Sequence, residues 1–185
     1  MCWDKESSMK GFMINMITLL LHHDNESKKF IPLFTTVALT QLLDYMVYSG
    51  YSKKICNKLL ALVLSSQILF LYKALKMPII YHIIPLVFYL IHLNWEPYEK
   101  YKSCDKCKYN IIAWEESKYV KEFMLAVWIV LPLITINDSM KDRMFLIVGG
   151  VLLFIMDNFK HGSLGKNWCM SGFLLNFLTY LIYRQ

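Results

Sequence analysis

Apolar residues come in blocks along this chain, and charged residues collect in the gaps between them. Seven blocks stand out, at roughly 9–22, 30–49, 55–75, 78–92, 119–136, 144–159 and 168–183. That pattern is the signature of membrane-spanning helices. A spanning helix needs about 20 residues. The first and fourth blocks are shorter. Fourteen apolar residues cover only about 21 Å as a helix, so such a block must take in its flanks or sit in a thin bilayer. The predicted fold is an all-α polytopic transmembrane helix bundle. It has about seven spans, or six if one short block does not cross.

Composition agrees. Apolar residues make up 56% of the 185 and charged residues 18%, against about 25% charged in ordinary soluble domains. The chain reads as one transmembrane domain over 1–185, with a hydrophilic loop at 94–118 inside it. Pro97 and dense charge mark that loop, and its apolar patch at 111–114 is expected along the membrane surface. There is no internal duplication and no low-complexity segment. The leader "MCWDKESSMK" mixes acids with bases, and "HHDNESKK" after the first block carries no small-x-small cleavage pattern. The first block is therefore expected to be a retained signal-anchor helix.

The net charge is +6. In a membrane chain this reports topology rather than a nucleic-acid partner. In a seven-span arrangement, 13 of the 20 Lys and Arg residues fall on the side of the N-terminus and 7 on the other. The positive-inside rule then places the N-terminus in the cytoplasm and the C-terminus outside. The two N-x-[ST] sequons, at Asn25 and Asn137, both fall in loops placed outside. All five cysteines fall inside: Cys2, Cys56, Cys104, Cys107 and Cys169. A reducing side favours thiols or metal ligands over disulfides.

Polar groups within apolar spans are costly and mark cavities or partners. The second block carries Gln41, Asp44, Tyr45 and Tyr48 on one helix face. Others lie in later blocks: Ser65, Ser66 and Gln67, His82 and His92, Asp157, then Ser171, Asn176 and Thr179. In the seven-span topology, Gln41, Asp44, Tyr45, His92, Glu96, Asp157 and His161 could line one inward-facing polar cavity. The competing reading is that these groups pair helices and snorkel at the interface.

The connection "HGSLGKNWCMSG" from His161 to Gly172 resembles a phosphate loop only in part. Walker A needs G-x-x-x-x-G-K-[ST]. Here Gly162 and Gly165 are two residues apart and Asn167 follows Lys166. The glycines are expected to end the sixth span and turn the chain, with Trp168 anchoring the seventh. Cys104 and Cys107 form a C-x-x-C, but a structural zinc site needs four ligands. No cofactor is expected, with zinc at Cys104 and Cys107 as the alternative. The eleven methionines more often fill gaps between helices than bind copper.

The opening "MCWDKESSMKGF", the run Gln41-Leu42-Leu43-Asp44-Tyr45, the pair Cys56-Asn57 and "GSLGKNWCMSG" occur in that order. Together they resemble the small, uncharacterised "MCWS"-type multi-pass membrane proteins of large DNA viruses and some microbes. This chain departs from them at Asp4, where Ser is usual, at Gly165 to Asn167, which interrupt Leu164 and Trp168, and at Met170 for a second Trp. The resemblance covers about 40 residues. It implies a seven-span helical fold in a host internal or virion membrane, and no activity. It also brings forward Cys2, Trp3, Trp168 and Cys169 as a structural latch that could close the helix ring.

Three functions are open at this level. The first is movement or sensing of an ion or small solute through the polar cavity, in a chain that could form a homo-oligomer in the lipid bilayer. The second is a metal-dependent intramembrane lipid hydrolase using His92, Asp157 and His161. The third is a non-catalytic membrane scaffold. An enzyme is the less favoured outcome.

Overall fold

The computed structural model describes residues 5–22, 26–94, 125–136, 139–157 and 164–184. Those residues form seven α-helices and no strand. In chain order they are α1 (Lys5–Leu19), α2 (Ile31–Tyr48), α3 (Lys53–Ala74), α4 (Ile83–Asn94), α5 (Leu131–Thr135), α6 (Met140–Asp157) and α7 (Leu164–Tyr183). Single 3₁₀ turns lead into α2 and α4, and a π-helical turn, Ala126–Val130, leads into α5. Each of the seven apolar blocks thus contains a helix.

Local chemistry sets several boundaries. Pro32 opens α2, where its missing N–H is no loss. The same helix closes in a Schellman turn: Tyr51 N–H reaches Met46 O at 3.1 Å and Gly50 N–H reaches Val47 O at 3.0 Å. Gly50 takes the left-handed conformation this turn requires, at φ 91°. α3 ends in the same way, with Met77 N–H on Tyr72 O at 2.9 Å and Lys76 N–H on Lys73 O at 3.1 Å. There the left-handed position is held by Lys76, at φ 53°, and Pro78 then blocks continuation.

α7 starts earlier than the sequence suggests. Gly165 to Asn167 were expected to turn the chain ahead of the seventh block, yet the helix begins at Leu164 and runs through them. No proline interrupts this stretch. A Cβ on Gly172 would come within 2.6 Å of Val37 Cγ1, so this glycine lets α7 lie close against α2.

The helices form a ring. α1 packs on α2, α2 on α3, α3 on the π-helical turn before α5, α5 on α6, α6 on α7, and α7 back on α1. α4 packs on α3 outside this ring. Asn15 pairs with Gln41 while His22 stacks on Phe34, so α1 and α2 are antiparallel. The core is a continuous cluster including Phe30, Phe34, Ile68, Leu71, Tyr72, Trp128, Phe145 and Leu146.

The π-helical turn leaves one carbonyl to be met from another helix. Leu131 N–H bonds Ala126 O, which sets an i to i−5 register. The next donor in that register would be residue 132, which is proline and has no N–H. The Val127 carbonyl would go without a partner, and the Tyr72 hydroxyl donates to it at 3.0 Å. The interaction ties α3 to the turn before α5.

At one end of the ring, charge and aromatic rings meet. Lys29 Nζ lies 2.7 Å from Asp142 Oδ1, and the Tyr183 hydroxyl donates to the same oxygen. The Lys29 ammonium also sits over the Phe30 and Tyr183 rings, at 5.1 and 4.8 Å. Lys141 pairs with Glu26 at 3.0 Å beside them. The start of α2, the start of α6 and the end of α7 therefore share an end of the bundle.

Replacing Lys76 with Gly is expected to raise stability by about 0.5–1 kcal/mol, because it removes left-handed strain. Gly50→Ala should lower it by about 1 kcal/mol. Thermal unfolding in detergent reads both. Gly172→Ala should lower it by about 1–3 kcal/mol through overpacking, and Val37→Ala in the same chain should restore part of the loss.

Candidate functional site

The polar side chains of the bundle gather in a seam between α1, α2 and α7. α1 supplies a stripe of Ser8, Gly11, Asn15 and Thr18, and His22 just past its end continues the spacing. Steps of three and four residues keep all five on one face. Ser8, Asn15 and His22 are buried.

Across the seam, Asn15 Nδ2 donates to Gln41 Oε1 at 3.1 Å and to Gly11 O at 3.2 Å. Gly11 makes this approach possible, since a Cβ there would stand 2.9 Å from Gln41 Oε1. On the other side, Asn176 of α7 reaches α1. Its Nδ2 donates to Thr18 Oγ1 at 2.7 Å, and its Oδ1 lies 2.6 Å from His22 Nε2. An amide oxygen only accepts, so His22 carries its proton on Nε2. The imidazole is held by Phe34 in a stack and Tyr180 edge-on.

Gln41 and Asp44 were expected in a polar cavity, and both are buried, at 0% and 3% exposure. They lie on the α2 face that meets α1, one turn apart. Tyr45 is half-buried and its ring sits 5.2 Å beneath the Lys5 ammonium. His92 and Asp157 lie in α4 and α6, and Trp168 and Cys169 in α7, but their side chains lie outside the described residues. Cys2, Trp3, Glu96, Cys104, Cys107 and His161 lie outside them altogether. Among the described residues, no group of three or more His, Cys, Asp or Glu could hold a metal ion. The described part of the ring closes through Asn176 on α1.

Asn15 and His22 were missed because they sit within a block scored as apolar. The signal that could have found them is the stripe itself, small and polar residues at steps of three and four. Asp142 was missed because it stands at the head of its helix, among the charges of a gap. Other polar groups are settled locally. Thr36, Thr40, Ser65, Ser66 and Thr179 bond carbonyls three or four residues back in their own helices. Gln67 Nε2 reaches Thr36 O at 3.2 Å and ties α3 to α2.

No family model matches the chain, and no curated protein or solved structure matches it either.

Asn176→Ala removes the bridge from α7 to both Thr18 and His22. It is expected to destabilise the protein by about 1–2 kcal/mol. A double-mutant cycle with Thr18→Val should show a coupling of about 0.6 kcal/mol, the typical size for helix pairs in membranes. Full additivity would break the assigned contact.

Proposed function

We propose that this chain is a multi-pass integral membrane protein whose polar seam carries or senses an ion or small solute. The polarity of α1 is the observation that supports this. A helix of a water-soluble protein turns its apolar stripe to the core. The second half of α1 does the reverse, burying Asn15 at 0% exposure and presenting Ile17 at 60%, with Leu20 just past the helix at 79%. Met13, Ile14 and Met16 share that outer face.

The apolar exterior continues around the bundle. α4 and its leading turn expose Ile79, Ile80, Ile83, Leu86, Leu90 and Ile91, and α6 exposes Met140, Met144, Ile147 and Val151. A contiguous apolar surface of this extent fits a lipid environment. Among the described residues, Ser27–Tyr48 is the one helix both long and apolar enough to cross a bilayer by itself. α1 at 15 residues reaches about 22 Å, so it needs its flanking turns or a thinned bilayer.

On this reading the N-terminus lies in the cytoplasm, and the clasp of Lys29, Asp142 and Tyr183 faces outside. Gln41 and Asp44 lie at the centre of the path. A chain of this size that moves a solute would act as a homo-oligomer. The scaffold reading draws on one observation: Asn15, Gln41, Thr18 and Asn176 already hydrogen-bond one another, as helix-fastening groups do.

Two measurements separate these readings. After an alkaline carbonate wash the chain should remain in the membrane pellet, and its release would contradict membrane integration. In proteoliposomes, Asp44→Asn should cut ion or solute flux by about tenfold or more while leaving the fold intact. A chain with no flux of its own, folded equally well with either residue, would be the scaffold.

A further inference from the structure

The joint between α1 and α7 has a fixed polarity. The Thr18 hydroxyl hydrogen goes to carbonyls of its own helix, with Asn15 O at 2.8 Å and Ile14 O at 3.1 Å. Towards α7 the Thr18 oxygen therefore accepts, and the Asn176 amide nitrogen faces it at 2.7 Å. The same nitrogen lies 3.4 Å from Asn15 O. This turns Asn176 Oδ1 to His22 Nε2, at 2.6 Å, and Nε2 must carry the proton between them. His22 Nδ1 is then a bare acceptor, and it is buried without a hydrogen-bond partner. The joint is built for one form of the ring, neutral and protonated on Nε2.

A second proton would find no place there. An imidazolium donates from both nitrogens, so a new N–H at Nδ1 would be enclosed without an acceptor. The ring is 3% exposed, and a buried charge is costly unless it is paired. α2 meets it with the face of Phe34, centroids 5.7 Å apart, which offsets part of that cost but accepts no hydrogen bond. α7 meets it with Asn176 and with Tyr180, whose ring carries the Arg184 guanidinium, a charge of like sign, at 5.5 Å. Beyond Phe34 lies Phe30, and beyond that Asp142, which already holds Lys29 and Tyr183. Among the described residues no carboxylate pairs with His22.

We propose that His22 is a proton-operated lock on the joint between α1 and α7. Neutral, it fastens the end of α1 to Asn176. Protonated, it leaves the stack for water and releases that end of α1. The clasp of Lys29, Asp142 and Tyr183 holds the starts of α2 and α6 and the end of α7, but it includes no residue of α1. Release of His22 therefore frees α1 while the rest of that end stays tied. An unrestrained imidazole takes up its proton near pH ~6.5. The open joint binds this proton and the closed one does not, so closure is complete above that pH and weakens as the pH falls below it. The lock stands on the contacts between α1 and α7, whether or not the seam carries a solute.

The test is the distance between spin labels at Leu20 and Leu181, two exposed positions beside the joint. It is measured by double electron–electron resonance in the full chain in detergent, with the five native cysteines replaced by serine. One narrow distance is expected at about pH 7.5. At about pH 5.5, above the usual carboxylate range, a longer and broader population should appear reversibly, the ratio of open to closed rising by up to about tenfold. His22→Gln keeps an N–H for Asn176 and does not titrate, so it should hold the narrow distance at both values. If that variant does not fold, the converse chain decides: with His23, His82, His92 and His161 changed to Gln and His22 kept, the acid response must persist. An unchanged distance in the wild type would overturn the lock. So would the same broadening in His22→Gln, or its loss in the converse chain, because each assigns the response to another group.

Discussion

The seam between α1 and its neighbours constrains the rest of the structure. α1 buries Ser8 and Asn15, while Met13, Ile14, Met16 and Ile17 are exposed. Gly11 has no side chain, so Gln41 can reach Asn15, and Asn176 can then bridge from α7 to Thr18 and His22. The first and last helices are joined by these bonds, which closes the ring. With the polar stripe inside, Met13, Ile17 and Leu20 must face outward. In water such a helix would gain by turning over. The arrangement is the one expected of a helix in hydrocarbon, and it is what supports the proposed membrane reading. Individual bonds of this kind contribute only about 0.6 kcal/mol each. Their effect lies in fixing which face points in.

Other parts of the bundle apply the same rule, that buried backbone and side-chain polar groups find partners within the protein. The Thr and Ser hydroxyls of α2 and α3 turn back onto their own helices. Pro132 would leave the Val127 carbonyl without a donor in the π register, and the Tyr72 hydroxyl supplies one. At the ring's end a partly buried Lys29 meets a carboxylate and two aromatic faces. Among the described residues, Asn15 Oδ1, His22 Nδ1, Gln67 Oε1 and His82 Nδ1 are buried exceptions without a hydrogen-bond partner.

Much of the helix layout was legible in the pattern of apolar blocks. Each block contains a helix, because long apolar runs broken by charge leave the backbone few other ways to satisfy itself in a bundle. Gln41 and Asp44 were legible because polar groups stand out in the strongly apolar second block. Asn15 and His22 were not, because counting apolar residues over a block averages away which face each occupies. The start of α7 was misplaced because Gly165 read as part of a turn, whereas the helix runs through it, and Gly172 within the same helix serves a close approach to α2. The contact of Lys29 with Asp142 joins residues more than a hundred apart, and no local pattern announces it. The proposed set of His92, Glu96, Asp157 and His161 rests on side chains outside the described residues.

The most direct measurement is the environment of α1's outer face. With the five native cysteines replaced by serine, a nitroxide can be placed at Ile17 in the reconstituted protein, with a second placed at the exposed Tyr51 for reference. Relaxation by molecular oxygen and by a water-soluble nickel chelate then reports lipid against water. At Ile17 oxygen should dominate and the chelate should have little access, while Tyr51, in the turn after α2, should show the reverse. Strong chelate access at Ile17 would place that face in water and contradict the inverted helix on which the membrane reading depends.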